Sequence, residues 1–205
     1  MSVNKEVYQF RIELQDIAPP IWRQIQVPAD YSFWDLHVAI QDAMGWLDYH
    51  LHAFHIQQSG SMKRITIGVP DSNFNKSTLA GWETSIKTYF VKPGITADYI
   101  YDFGDDWRHT VQLEAILDKD PAVKYPVCIA GERACPPEEC GGIPGYEGML
   151  ELLSDPHHEL YEDQVNWLKE HRKNYFPYKP DHFALSKVKF KSPKKHWKVR
   201  FGSPD

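Results

Sequence analysis

Residues 7–15 alternate strictly between apolar and polar side chains. Tyr8, Phe10, Ile12 and Leu14 fall on one face, and Gln9, Arg11, Glu13 and Gln15 on the other. A period of two predicts a half-buried strand. Pro19-Pro20 forces an extended or turning connection, because neither ring nitrogen can donate to a ladder. Residues 21–27 alternate again, with Ile21, Ile25 and Val27 opposite Trp22, Gln24 and Gln26. They predict a second strand, antiparallel to the first. Ser32 and Asp35 then stand at capping-box spacing. Phe33, Leu36, Ile40, Ala43 and Met44 recur at helical spacing, and Gly45 sits where a left-handed cap is wanted. A helix is predicted over 33–44.

Strands are predicted over 50–57 and 63–69 about a turn at Ser59-Gly60-Ser61, with a polar connection at 71–77. Residues 78–91 mix helical spacing with strand formers and assign no single element. Residues 98–103 and 107–117 predict a hairpin around Gly104-Asp105-Asp106. Gly104 takes the positive φ, and Trp107, His109, Val111, Leu113, Ala115 and Leu117 share a face. Helices are predicted over 146–154 and 158–172, with Pro156 at a helix start. The segment 183–201 shows strand-like alternation. Between them, 118–148 is rich in Pro and Gly, holds all three cysteines and reads as one long loop. This order of strands, helix, strands, then helices predicts an α+β fold. The expected form is a mostly antiparallel sheet with helices packed on it, in a single compact domain over 1–205. A domain of this length buries roughly 70% of its unfolded surface and needs no staples.

Composition changes this picture in two places. Cys128, Cys135 and Cys140 form an odd, clustered set, which is a poor disulfide framework. With no leader-like or membrane-spanning run, the expected location is cytoplasmic, with reduced thiols and no membrane partner. The net charge of −5 is also uneven. Residues 187–200 carry seven Lys or Arg and no acid, whereas 1–186 carry 16 basic and 27 acidic residues. Lys187, Lys189, Lys191, Lys194, Lys195, Lys198 and Arg200, with Trp197 among them, form a basic C-terminal strip. Two readings follow: the strip contacts nucleic acid, or it lies against the acidic body.

Candidate chemistry gathers in two further places. The cysteines stand at C-x6-C-x4-C. Zinc takes four Cys or His ligands, so a fourth has to come from His109, His157 or His158; the alternative is a loop with small buried thiols. His50 and His52 share a face if their segment is a strand, and Asp102, Asp105 or Asp106 would complete a metal site. The alternative is local hydrogen bonding within the sheet and turn. Asp102-Phe103-Gly104 matches a kinase metal-binding tripeptide, but the glycine-rich loop, strand lysine and catalytic loop of a kinase are absent. No G-x-S-x-G elbow, Walker lysine loop or G-x-G-x-x-G is present. A Cys135 or Cys140 nucleophile beside a histidine stays open.

Several long segments rich in rare residue types occur in a telling order: APPIWRQIQVP, SFWDLHVAIQDAMGW, HLHAFHI, YIYDFGDDWRHTVQLE and CIAGERACPPEECGGIPGYEGMLELL. Over about residues 7–170 the chain resembles the plasmid pRiA4b ORF-3-like family. The resemblance implies an α+β fold and an association with plasmids and mobile elements, and it supplies no catalytic residue to carry over. A resolvase label used within the family implies a nucleophile in an arginine-rich site, and the arginines here are scattered. The sequence thus leaves an accessory protein contacting nucleic acid or a protein partner, a metal-dependent hydrolytic enzyme, and an interaction protein that docks its long loop.

Overall fold

A computed structural model describes residues 6–58, 61–70 and 77–202. Eight strands form one sheet: β1 (Glu6–Leu14), β2 (Trp22–Pro28), β3 (His52–Gln57), β4 (Arg64–Gly68), β5 (Leu79–Ala80), β6 (Thr96–Tyr101), β7 (Trp107–Asp118) and β8 (Val127–Glu132). Their spatial order is β5-β4-β3-β6-β7-β1-β2-β8. Every pairing is antiparallel except β4 with β5. Four helices accompany the sheet: α1 (Phe33–Met44), α2 (Gly142–Ser154), α3 (Tyr161–Glu170) and α4 (Pro193–Phe201).

The alternation read in the first two strands has a direct physical basis. Phe10, Ile12, Ile25 and Val27 are fully buried on the inner face. On the outer face Gln26 donates to Gln9, Gln9 and Gln24 both donate to Glu114, and the Arg11 guanidinium lies 4.0 Å over the Trp22 ring. A sheet solvated on one side gives a clean period of two. Arg23 falls on the inner face with Ile25 and Val27, and only 2% of it is exposed. Along β7 the alternation holds from Trp107 to Leu113. A bulge opposite Gln9 and Phe10 then shifts the register and leaves Leu117 exposed.

Helix α1 lies across the inner face of the sheet. Its ends match the expected signals. Ser32 accepts from the Asp35 amide, Asp35 accepts from the Ser32 amide, and Gly45 at φ 94° returns its amide to the Gln41 carbonyl at 2.7 Å. Phe33, Leu36 and Ile40 are fully buried, each contributing roughly 1.5–3 kcal/mol of transfer free energy.

Four expectations are corrected. The segment 118–148 is not one loop: it contains β8, paired with β2, and the first turns of α2. The strand-like segment 183–201 forms a 3₁₀ turn at Leu185–Lys187 and helix α4, which starts at Pro193. Its alternation arises because Val188 and Phe190 pack on the core from an extended segment that joins no sheet edge. In the β6–β7 hairpin the positive φ angles belong to Asp102 and Asp106, and Gly104 has none. Asp tolerates that conformation because its side chain bonds locally; here Asp102 Oδ1 accepts from the Gly104 amide at 2.9 Å. Helix α3 begins at Tyr161 and not at 158, so Pro156 stands in the preceding turn. The ambiguous segment 78–91 supplies β5 and a 3₁₀ turn at Ile86–Thr88. The Ser59–Ser61 turn and the polar connection at 71–77 lie largely outside the described residues.

A tight contact fixes α2 against the loop before it. A Cβ placed on Gly145 would stand 1.8 Å from the Cys140 carbonyl oxygen. Backbone has to move to admit it, so Gly145→Ala should destabilise the fold by about 2–3 kcal/mol, read as a lowered urea midpoint. An unchanged midpoint would show that this loop yields freely.

Candidate functional site

Helix α1 carries two polar side chains into the apolar interior, His37 and Gln41, which are 0% and 1% exposed. Gly45 ends the helix and the chain turns back, so Asp48 at φ 59° brings its carboxylate under the helix. His37 Nε2 stands 3.1 Å from Asp48 Oδ1, and His37 Nδ1 stands 2.8 Å from the Tyr99 hydroxyl. Gln41 Nε2 donates to the same hydroxyl at 2.9 Å. The contacts form one buried polar chain from Gln41 through the Tyr99 hydroxyl and the His37 ring to the Asp48 carboxylate.

His52 stacks on His37, with centroids 3.5 Å apart and planes within 8°. Burial, then the neighbouring His37 and Arg200, hold His52 well below the usual imidazole range, so it is neutral. Burial raises the Asp48 carboxyl, but His37, Arg200 and His196 outweigh it and the net shift is downward. Gln41 Oε1, Asp48 Oδ2 and His52 Nδ1 are buried without a hydrogen-bond partner.

Helix α4 covers this network. Arg200 Nη1 donates to the Asp48 carbonyl at 2.7 Å and lies 3.3 Å from its carboxylate, while Nη2 donates to the His50 carbonyl at 2.6 Å. His196 Nδ1 lies 3.3 Å from Asp48 Oδ2 without a hydrogen bond. Trp197 packs edge-on to Trp34 and Trp82 at 5.3 and 4.8 Å. Ahead of the helix, the Lys191 amide donates to Asp42 at 2.7 Å and its ammonium lies 3.5 Å away.

The basic strip is therefore divided. Lys191, His196 and Arg200 lie against the acidic body. Lys187, Lys189, Lys194, Lys195 and Lys198 are exposed, with no carboxylate partner among the described residues. A groove of about 480 Å³ is lined by Trp34, Trp82 and Trp197 together with Lys194, Lys198, Asp30 and Asp35.

The other candidate residues are dispersed. His50 lies just outside β3 and pairs with Glu139 at 2.6 Å, with Asp102 3.5 Å away, while His52 belongs to the His37 stack. Asp106 pairs with Arg108 at 2.9 Å, and Asp105 accepts from the Gly141 amide at 3.2 Å. His109 is fully buried, with Nδ1 facing the Trp107 and Tyr99 carbonyls at 3.1 and 3.3 Å. His157 and His158 occupy the exposed turn between α2 and α3. The three cysteines are free thiols. Desolvation pushes Cys135 and Cys140 up to about 12, so neither is a ready thiolate. Among the described residues no group of three or more His, Cys, Asp or Glu is placed to hold a metal ion. No described helix is long and apolar enough to cross a membrane. The sequence reading missed His37, Asp48 and Arg23. A histidine on the apolar stripe of α1 and an arginine on the inward face of β2 were the available signals.

A one-sided antiparallel sheet, a crossing helix with a polar interior network and late helices at the margin define an α+β class that comparison with known proteins identifies. The family model described as plasmid pRiA4b ORF-3-like protein matches residues 6–187, and the chain belongs to that family. The matched span ends before α4. Uncharacterized protein y4hQ of Sinorhizobium fredii is 30% identical over 164 residues, which is 78% of this chain and 80% of that protein. The crystal structure of a protein of unknown function, MM3350 from Methanosarcina mazei Go1, superposes with a TM-score of 0.81 at 40% identity. That similarity covers 92% of this chain and all of the archaeal one.

Proposed function

We propose that the chain is a binding module, an accessory protein of mobile elements, that contacts single-stranded nucleic acid through the outward half of its C-terminal strip. The division of the strip carries this reading. Three side chains anchor the segment, and five lysines face solvent, of which Lys194 and Lys198 line a groove with Trp34, Trp82 and Trp197. Stacking a base on an aromatic wall while lysines take the phosphates is the usual physics of strand binding. Asp30 and Asp35 also line the groove and repel phosphate, so the base enters it and the backbone tracks the lysines. Phe190 packs on the core and takes no part. The acidic body confines contact to this one edge, which fits a small footprint.

The test is fluorescence anisotropy of a labelled single strand across a salt series. Each neutralised phosphate contributes about −0.7 to the slope of log K against log salt. Joint replacement of Lys194, Lys195 and Lys198 by alanine should flatten that slope by about 2 and weaken binding at least roughly tenfold. These side chains are exposed, so the fold should stand. Binding indifferent to salt, or unchanged in the triple variant, would defeat the reading.

A further inference from the structure

A second concavity lies on the other side of the strip, between the C-terminal end of α1, the turn at Cys135 and residues 173–188. It measures about 570 Å³, within the range of small-molecule sites. Its lining is cationic in a chain that is acidic overall. Arg23, Lys173, Lys179 and Lys187 border it with His182, and the one carboxylate is Asp42, already taken by Lys191.

Arg23 is the unusual member. Its guanidinium is inside the protein, packed 3.9 Å over the Phe183 ring. Nε donates to the Ala43 carbonyl at 3.0 Å, and Nη1 donates to the Trp22 and Glu132 carbonyls at 2.7 and 2.8 Å. Nη2 has no partner among the described residues, and no carboxylate pairs with the group. A buried charge is costly unless it is paired. Here carbonyl dipoles fix the fork in place, and the free nitrogen belongs to a side chain that lines the cavity. Lys173 hangs at the edge, its ammonium donating to the Gly45 carbonyl. Tyr175, Tyr178 and Phe183 supply aromatic wall.

We infer that this cavity is a binding site for a phosphate monoester of nucleotide size, with the phosphate on Arg23 and the flanking lysines and the base against the aromatic wall. A preset guanidinium with added ammonium groups suits a phosphate dianion, and the remaining volume exceeds what inorganic phosphate needs. The two concavities share no lining residue, and Lys187 of the strip lines this one and not the tryptophan groove. Free nucleotides and the phosphorylated end of a strand offer the same group.

Isothermal titration with AMP, adenosine and inorganic phosphate tests it on the full chain. AMP should bind, with adenosine and inorganic phosphate each at least about tenfold weaker, as loss of one charge-assisted contact implies. Lys179→Ala with Lys187→Ala, both exposed, should weaken AMP by roughly ten- to a hundredfold. Arg23→Met should abolish binding, with circular dichroism confirming its fold. The Lys194, Lys195, Lys198 triple variant should bind AMP normally, which separates this site from the groove. A 5′-phosphorylated trinucleotide that binds tighter than AMP would place a strand end here, and a weaker one a free nucleotide. No AMP binding, equal binding of adenosine or phosphate, or AMP affinity unchanged in the Lys179/Lys187 variant would each overturn the inference.

Discussion

Replacing Asp48 by alanine should lower the unfolding free energy by about 3 kcal/mol, because it removes one partner of a buried charge cluster. The Asp48 side chain is 2% exposed and faces His37, His196 and Arg200 together. Without it, Arg200 keeps its contacts to the Asp48 and His50 carbonyls but loses its counter-charge. His37 Nε2 is left buried and unpaired. Alanine also fits poorly at φ 59°, which adds about 1 kcal/mol or more. Asparagine accepts that conformation and keeps an oxygen for His37, so Asp48→Asn should cost about half as much. The measurement is urea unfolding of the three proteins, with hydrogen exchange over 193–201. Faster exchange of α4 should accompany the alanine change. A cost below about 1 kcal/mol for Asp48→Ala would show that the cluster does not hold the tail to the body.

Acid should destabilise the protein well before its carboxylates protonate. His109 is completely enclosed, and burial lowers its pKa to about 4 despite two carbonyls facing Nδ1. Nε2 has no partner. In the unfolded chain the same imidazole titrates near 6.5. Between these values the unfolded state binds the proton and the folded state does not. Stability is therefore full above about pH 6.5 and falls by about 1.36 kcal/mol per unit toward pH 4, about 3.4 kcal/mol in all. His52, also held neutral by burial, acts in the same direction. Asp48, shifted below 3.8, acts in a lower window: its contribution disappears only as pH drops through its folded pKa. Urea midpoints measured from pH 7.5 to 4.5 should slope downward, and His109→Gln should flatten the slope while lowering stability at neutral pH. A flat profile in the parent protein would contradict the enclosed, neutral state of His109.

The fold was legible wherever a local rule decided the structure. The strands at 7–15 and 21–27 announced themselves because one face of the sheet meets water. Helix α1 did so because Ser32, Asp35 and Gly45 mark its ends. Strand β8 was hidden, since it is only six residues long, shows no burial alternation and sits in a Pro- and Gly-rich stretch, and its pairing partner lies about a hundred residues earlier. Helix α4 was misread because its form is set by docking on Trp34 and Trp82 and not by its own pattern. The polar network was out of reach for the same reason. His37 and Asp48 are eleven residues apart and meet only after the Gly45 turn, and Arg200 arrives from the far end of the chain. His50 and His52 looked like a pair only while both were assumed to lie in one strand. Arg23 was the overlooked sign, a charge on the inward side of an otherwise apolar alternation.

Lysine reactivity footprinting by mass spectrometry, with and without a saturating single strand, tests the binding reading most directly because it reports which surface is covered. The strand should protect Lys189, Lys194, Lys195 and Lys198 from acetylation and leave the exposed Lys119 and Lys124 unchanged. Protection centred on Lys119 and Lys124, or no protection at any lysine, would contradict the assignment of the C-terminal strip as the working surface.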